Sequence, residues 1–218
     1  MNTFGVIFDL DGVIVDTAKY HFIAWKETAS QLGFDFTEAH NEQLKGVSRV
    51  RSLELILDLA GKTISEEEKQ NYLVAKNEHY LKLIAEMGKE EILPGISDLL
   101  DFLKENKIPF SLGSASKNAR LILKTLDLLE AFDAIVDGND VSKAKPDPEV
   151  FIIAAEKLGL SPEQCIVVED AIAGVEAANR AGMTSIGIGE EDTLSHANYV
   201  LSSTAGLTKE FFEKITSK

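Results

Sequence analysis

The chain is 218 residues long and 44% apolar, enough to bury the core of one medium domain or of a domain with a large insertion. A net charge of −14 argues against a nucleic-acid backbone or an anionic membrane as partner, so an anionic substrate would need a local cluster of Lys, Arg or metal. The single cysteine, Cys165, leads the apolar run Cys165-Ile166-Val167-Val168; it reads as a core residue and excludes a disulfide framework. The first residues carry no basic segment followed by an apolar core, and no apolar run approaches the ~20 residues of a membrane helix. A cytoplasmic protein is expected.

Val6-Ile7-Phe8 is a short continuous apolar run ending in Asp9, the pattern of a strand buried on both faces of a parallel sheet. Asp9 would then sit at the carboxyl end, where open α/β sheets bind ligands. Asp11 points to the same side if the chain stays extended, and Gly12 allows a sharp turn. Two carboxylates so close need a shared cation or a shared proton. Taken alone, Asp9-x-Asp11-Gly12 also fits a solvated acidic turn. A calcium loop fits poorly, because a strand precedes it and no Glu follows at the bidentate position.

From Thr17 to Gly88 the pattern predicts three or four helices and no strand. The first carries Ala18, Phe22, Trp25, Ala29 and Leu32 at helical spacing, with His21 one turn before Trp25. After Gly46, Ser48 can cap a helix bearing Val50, Leu53, Leu57 and Ala60, with Arg49 in its first turn. Basic groups at a helix start oppose the dipole, so Lys45 and Arg49 there suit a bound anion or a solvated turn. Ser65-Glu66-Glu67-Glu68 is a capping box opening a long helix with Leu73, Tyr80, Ile84 and Met87 on one side. Lys76 falls on that apolar side, to snorkel or to reach into a cleft.

From Leu93-Pro94-Gly95 onward helices and strands alternate. Strands are predicted at Ile108–Leu112, Ala134–Val136, Cys165–Val168 and Thr184–Ile188, with a weaker one at Tyr199–Leu201. A helix face at Ile96, Leu99, Leu100 and Leu103, and helices near Ala119–Leu126, Val150–Leu158 and Ala171–Ala181, lie between them. The fold class is α/β, a doubly wound parallel sheet with an inserted all-helical domain. The expected division is 1–16 with 89–218, and 17–88.

Polar clusters follow the strands. Ser114-Ala115-Ser116-Lys117-Asn118 runs into a helix, where hydroxyls and amides cap the helix or cradle a phosphate. Lys145 precedes Pro146, and Glu169-Asp170 ends another strand. The chemistry that unites these groups is phosphoryl transfer to a carboxylate. Asp9 is the expected nucleophile and Asp11 the general acid and base. Asp170 and Glu169 would anchor a magnesium ion, and Lys145 and Ser114 would hold the transferring oxygens.

With Asp9-x-Asp11-Gly12, Ser114, Lys145-Pro146 and Glu169-Asp170 in this order, the chain resembles the haloacid dehalogenase superfamily over its whole length. The insertion is similar to that superfamily's helical cap. Four stretches carry a closer resemblance to its sugar-phosphate mutases: Tyr20-His21-Phe22-x-x-Trp25-Lys26, Lys45-Gly46-Val47-Ser48-Arg49, Lys76-Asn77 and Ser114-Ala115-Ser116-Lys117-Asn118. Such mutases interconvert β-glucose 1-phosphate and glucose 6-phosphate through a bound glucose 1,6-bisphosphate, with one Mg2+ per subunit. The resemblance implies that the Asp11 main-chain carbonyl joins Asp9, Glu169 and Asp170 around the metal. It implies that Arg49, Ser116, Lys117 and Asn118 grip the distal phosphate, with Gly46 and Ala115 in the same binding stretches. His21, Trp25, Lys45, Ser52 and Lys76 would meet the sugar or cap it. Ala171 departs from the Ser expected there. A monomer is expected, and a phosphatase on the same scaffold is the alternative.

Overall fold

Six parallel strands form one sheet in the order β3-β2-β1-β4-β5-β6. They are β1 (Gly5–Phe8), β2 (Phe110–Gly113), β3 (Ala134–Val136), β4 (Cys165–Glu169), β5 (Thr184–Ile188) and β6 (Tyr199–Leu201). The computed structural model describes residues 4–44 and 47–216. β1 is the switch point, with β2 and β3 on one side and β4, β5 and β6 on the other. Every residue of β1, β2 and β4 is buried; β1 and Cys165–Val168 of β4 are unbroken apolar runs, while β2 buries Ser111 among its apolar residues. Phe8 pairs with Leu112 and with Val168, so Asp9, Gly113 and Glu169 stand level at the carboxyl edge.

Ten α-helices complete the described chain: α1 (Ala18–Gln31), α2 (Glu38–Glu42), α3 (Arg49–Ala60), α4 (Glu66–Ile84), α5 (Ile96–Glu105), α6 (Ala119–Thr125), α7 (Glu149–Leu158), α8 (Ile172–Arg180), α9 (Glu191–Leu194) and α10 (Lys209–Thr216). α7 packs on β1, β2 and β3, and α8 on β4 and β5. Ile7, Val167, Phe151 and Ala177 belong to one buried cluster. The rings of Phe8, Phe110 and Phe132 make edge-to-face contacts, the arrangement their quadrupoles favour.

By compactness the chain divides into Met1–Asp16 with Gly88–Lys218, and Thr17–Met87. In the helical unit, α1 packs on α2 and α4 around Trp25, Ala29, Phe36, Leu53 and Leu73. Ser48 caps α3 by accepting the Arg51 amide at 3.3 Å, and Gly61 ends it at a φ of 61°. The Ser65–Glu68 capping box opens α4 as its sequence predicts. Among the described residues no helix is long and apolar enough to cross a membrane.

Two differences from the sequence reading are physical, and the three or four helices expected between Thr17 and Gly88 are four among the described residues. β2 begins at Phe110, not Ile108; the Pro109 carbonyl accepts the Val6 amide, while proline has no N–H for the ladder. α2, opened by Thr37, is a five-residue helix, too short to show a repeating apolar face. α10 buries Phe212 through a single amphipathic stretch after the last strand, where the sequence reading placed no element.

Candidate active site

The segment after β1 folds back on itself. The amides of Val13, Ile14 and Val15 point to the Leu10 carbonyl at 3.4, 2.9 and 3.1 Å, and the Gly12 amide donates to Val15. Gly12 has a φ of 77°, which favours glycine for its backbone. It is also glycine for space: a Cβ there would lie 2.2 Å from Asp170 Oδ2. Asp170 therefore rests against the turn that carries Asp11.

Asp9, Lys145 and Glu169 form the centre. Lys145 Nζ lies 2.6 Å from Asp9 Oδ1 and 2.8 Å from Glu169 Oε1, with all three side chains buried. The Lys145 ammonium also sits 4.6 Å from the Phe151 ring centre. Burial pushes the Asp9 carboxyl from 3.8 up to about 7; Lys145 opposes this, while Glu169 and Asp11 add to it. Burial alone would lower the Lys145 ammonium, but Asp9 and Glu169 outweigh it and hold it above the ordinary lysine range. Lys145 is thus a permanent cation between two acids. The Lys145–Pro146 bond is cis.

Glu169 is held twice, since Oε1 accepts from Lys145 and Oε2 accepts the Ala171 amide at 2.6 Å. Ala171 has no hydroxyl to offer, but its backbone supplies this anchor. Gly174, inside α8, makes the position possible: a Cβ there would lie 1.7 Å from Glu169 Oε1. The carboxylate end is flexible and can swing away, but only by giving up Lys145 and the Ala171 amide. Gly174→Ala is expected to lower turnover about 10²-fold with the circular dichroism of the parent retained. Parent-level turnover would mean that Glu169 is not needed where it sits.

The loop after β2 is also ordered by its own side chains. Ser114 is buried, its amide donates to Val136, and its Oγ accepts the Ser116 amide at 3.1 Å. Ser116 Oγ accepts the Asn118 amide at 3.2 Å. Two amides expected for a phosphate are therefore taken by hydroxyls. A serine hydroxyl that accepts an amide keeps its own O–H proton to donate. Ala115, Ser116 and Asn118 are half-buried and Lys117 is exposed.

Asp9, Glu169 and Asp170 each offer an oxygen within 4.8 Å of the others. An all-carboxylate set beside strand ends fits a hard divalent cation such as magnesium. Asp11 is half-buried on the same turn.

The helical unit gathers His21, Trp25 and Lys76. Lys76 is 3% exposed and does not snorkel. Its Nζ lies 2.8 Å from His21 Nδ1, 4.6 Å from the Trp25 ring centre and 4.7 Å from that of Tyr80. The His21 ring stacks on Tyr80 at 4.3 Å. Burial, then the charges of Lys76 and Arg49, hold His21 well below its usual range. This disfavours the imidazolium, and the Lys76 ammonium 2.8 Å from Nδ1 favours the tautomer with the ring proton on Nε2. Arg49, half-buried at the first turn of α3, has its guanidinium pKa lowered by burial. Ser52 is buried and donates to the Ser48 carbonyl at 3.1 Å. Lys45 and Gly46 lie outside the described residues.

Phe151, Gly174 and Tyr80 were not singled out for the site by sequence reasoning. Gly174 had a readable signal, because glycine in a helix interior costs about 1 kcal/mol and marks a close approach.

The model of haloacid dehalogenase-like hydrolases matches residues 5–182. The chain belongs to the haloacid dehalogenase-like hydrolase family. It is 44% identical over 211 residues to β-phosphoglucomutase of Bacillus subtilis, covering 96% of this chain and 93% of that protein. It is 32% identical to a phosphorylated carbohydrates phosphatase of Thermotoga maritima, over 83% of this chain and 82% of that one. The crystal structure of β-phosphoglucomutase from Clostridium difficile superposes with a TM-score of 0.93 at 44% identity, covering 97% and 96% of the two chains. This haloacid dehalogenase-family enzyme carries an acidic cluster of Asp9, Glu169 and Asp170 at the carboxyl edge of its sheet.

Proposed function

We propose that the protein is a magnesium-dependent β-phosphoglucomutase, interconverting β-glucose 1-phosphate and glucose 6-phosphate through an aspartyl-phosphate and glucose 1,6-bisphosphate. The observation that carries this reading is the Asp9–Lys145–Glu169 constellation in a chain 44% identical to a β-phosphoglucomutase. The proposed unit is a monomer, with Thr17–Met87 as its cap domain.

Asp9 Oδ1 is engaged by Lys145, which leaves Oδ2 as the attacking oxygen. Lys145 has one further ammonium proton for a phosphoryl oxygen, and the Ser114 hydroxyl donates to another. Asp11 gives its proton to the leaving sugar oxygen as the Asp9–phosphorus bond forms. It then takes a proton from the free hydroxyl of a β-glucose 1-phosphate molecule, which attacks the aspartyl-phosphate, forms the bisphosphate again and restores Asp9. Asp9, Glu169 and Asp170, with the Asp11 main-chain carbonyl, would hold Mg2+. Bound there, the ion neutralises charge between an anionic nucleophile and an anionic phosphate. Arg49 with Ser116, Lys117 and Asn118 is assigned the distal phosphate, and His21, Trp25, Lys45, Ser52 and Lys76 the sugar. Gly46 and Ala115 are assigned backbone positions in those two binding stretches.

A coupled assay for glucose 6-phosphate from β-glucose 1-phosphate, primed with the bisphosphate, tests the reading. Free phosphate equal to total turnover would replace it with a phosphatase. Arg49→Ala is expected to raise the KM for glucose 1,6-bisphosphate about tenfold or more, while cleavage of a simple phosphate ester suffers less. Equal losses in both reactions would reject the distal-phosphate role.

A further inference from the structure

The turn Asp137-Gly138-Asn139-Asp140 follows β3 and contains a carboxylate that the proposed chemistry does not use. Asp137 is 0% exposed. Its Oδ1 accepts the Asn139 amide at 2.8 Å and Asn139 Nδ2 at 3.0 Å, and its Oδ2 lies 3.0 Å from Arg120 Nε. Arg120 also pairs with Asp140 at 2.9 Å, and Asp140 accepts the Asp137 amide. Arg120 stands on α6, the helix into which Ser114–Asn118 runs, so the turn is tied to that helix.

From this anchored turn two bonds reach back to the loop. Asn139 Nδ2 donates to the Lys117 carbonyl at 3.0 Å, and the Gly138 amide donates to the Ser116 carbonyl at 3.2 Å. Gly138 approaches so closely that a Cβ on it would lie 2.4 Å from the Ala115 carbonyl oxygen. The carbonyls of Ser116 and Lys117 are thus bound from behind, and Ala115 is packed there. Fixing a carbonyl fixes the plane of its peptide and the direction of the next amide and side chain.

We infer that Asn139, held by Asp137 and Arg120, is a positioning residue that sets the Ser116–Asn118 segment for a phosphate group. The inference rests on the proposed assignment of that segment to the distal phosphate. Asn139 is exposed, so its substitution tests the role without emptying a core position.

Amide chemical shifts of Ser116, Lys117 and Asn118 are titrated with inorganic phosphate in the parent, Asn139→Ala and Gly138→Ala. Saturable shifts in the parent, with affinity about fivefold or more weaker in both variants, are expected. In kinetics, Asn139→Ala raises the KM for glucose 1,6-bisphosphate about tenfold, while kcat with acetyl phosphate, which has no second phosphate to place, changes less than about twofold. Unchanged phosphate affinity in Asn139→Ala, or no shift of these amides in the parent, overturns the inference. So does an equal fall in both reactions, which would mark general structural damage. A parent that does not isomerise β-glucose 1-phosphate while the phosphate effect persists overturns the mutase reading alone.

Discussion

Asp9→Asn is expected to lower formation of glucose 6-phosphate by at least about four orders of magnitude, because an amide does not attack phosphorus under these conditions. The exchange is nearly isosteric, so the sheet and the loop after β1 keep their packing. Burial and the neighbouring Glu169 and Asp11 all disfavour charge at this position, with Lys145 alone among the assigned causes favouring it. The variant is therefore expected to melt at the parent's temperature or above it. Lys145 keeps Glu169 as its partner in the variant. Coupled turnover and thermal unfolding measured together check both halves. More than a trace of activity would sink the nucleophile assignment, and so would a phosphoryl group found on the variant by intact mass after exposure to the bisphosphate.

Lys145→Ala is expected to lose about 10³-fold in turnover and, unlike Asp9→Asn, about 3 kcal/mol in stability. It removes the cation from between two buried carboxylates, so both losses share one cause. Asp9, already raised to about 7 with Lys145 present, moves higher without it. A raised folded pKa means that the buried acid resists ionisation. The parent shares the raised value of about 7, so the extra destabilisation from Asp9 is small below it, where the acid is protonated in both folded proteins, and grows as pH rises above about 7. Thermal melts of the metal-free parent and variant from acid to mildly alkaline pH read this directly. Turnover within tenfold of the parent would reject the phosphoryl-holding role, and a stability loss independent of pH would reject the electrostatic account.

The sheet was legible because its central strands are unbroken apolar runs, and the carboxyl-edge position of Asp9 and Glu169 followed from that. The pairing of Lys145 with both acids was not legible. It depends on a connection whose direction no local pattern specifies, eight residues of which separate β3 from Lys145. The sequence left Lys76 between snorkelling and reaching inward, because both outcomes put lysine on an apolar stripe. Only the convergence of Trp25 and Tyr80 from two helices, with His21 between, decides it. The turn at Asp137–Asp140 was passed over for a related reason. Its residues are ordinary turn formers, and their consequence is the carbonyls they grip at Ser116 and Lys117.

The order of assembly adds a constraint on the nascent chain. Asp9 is synthesised on the first strand, yet its ammonium partner comes 136 residues later and the acid sharing that partner a further 24. β1 pairs with β2 on one side and β4 on the other, so one edge of this strand lacks its partner until most of the polypeptide has left the ribosome. A stalled or truncated product ending before β4 retains the aspartate without Glu169 and without half of the surrounding sheet. Such fragments should be poor phosphoryl acceptors, and acceptance of a phosphoryl group becomes a report that translation has reached the far side of the sheet.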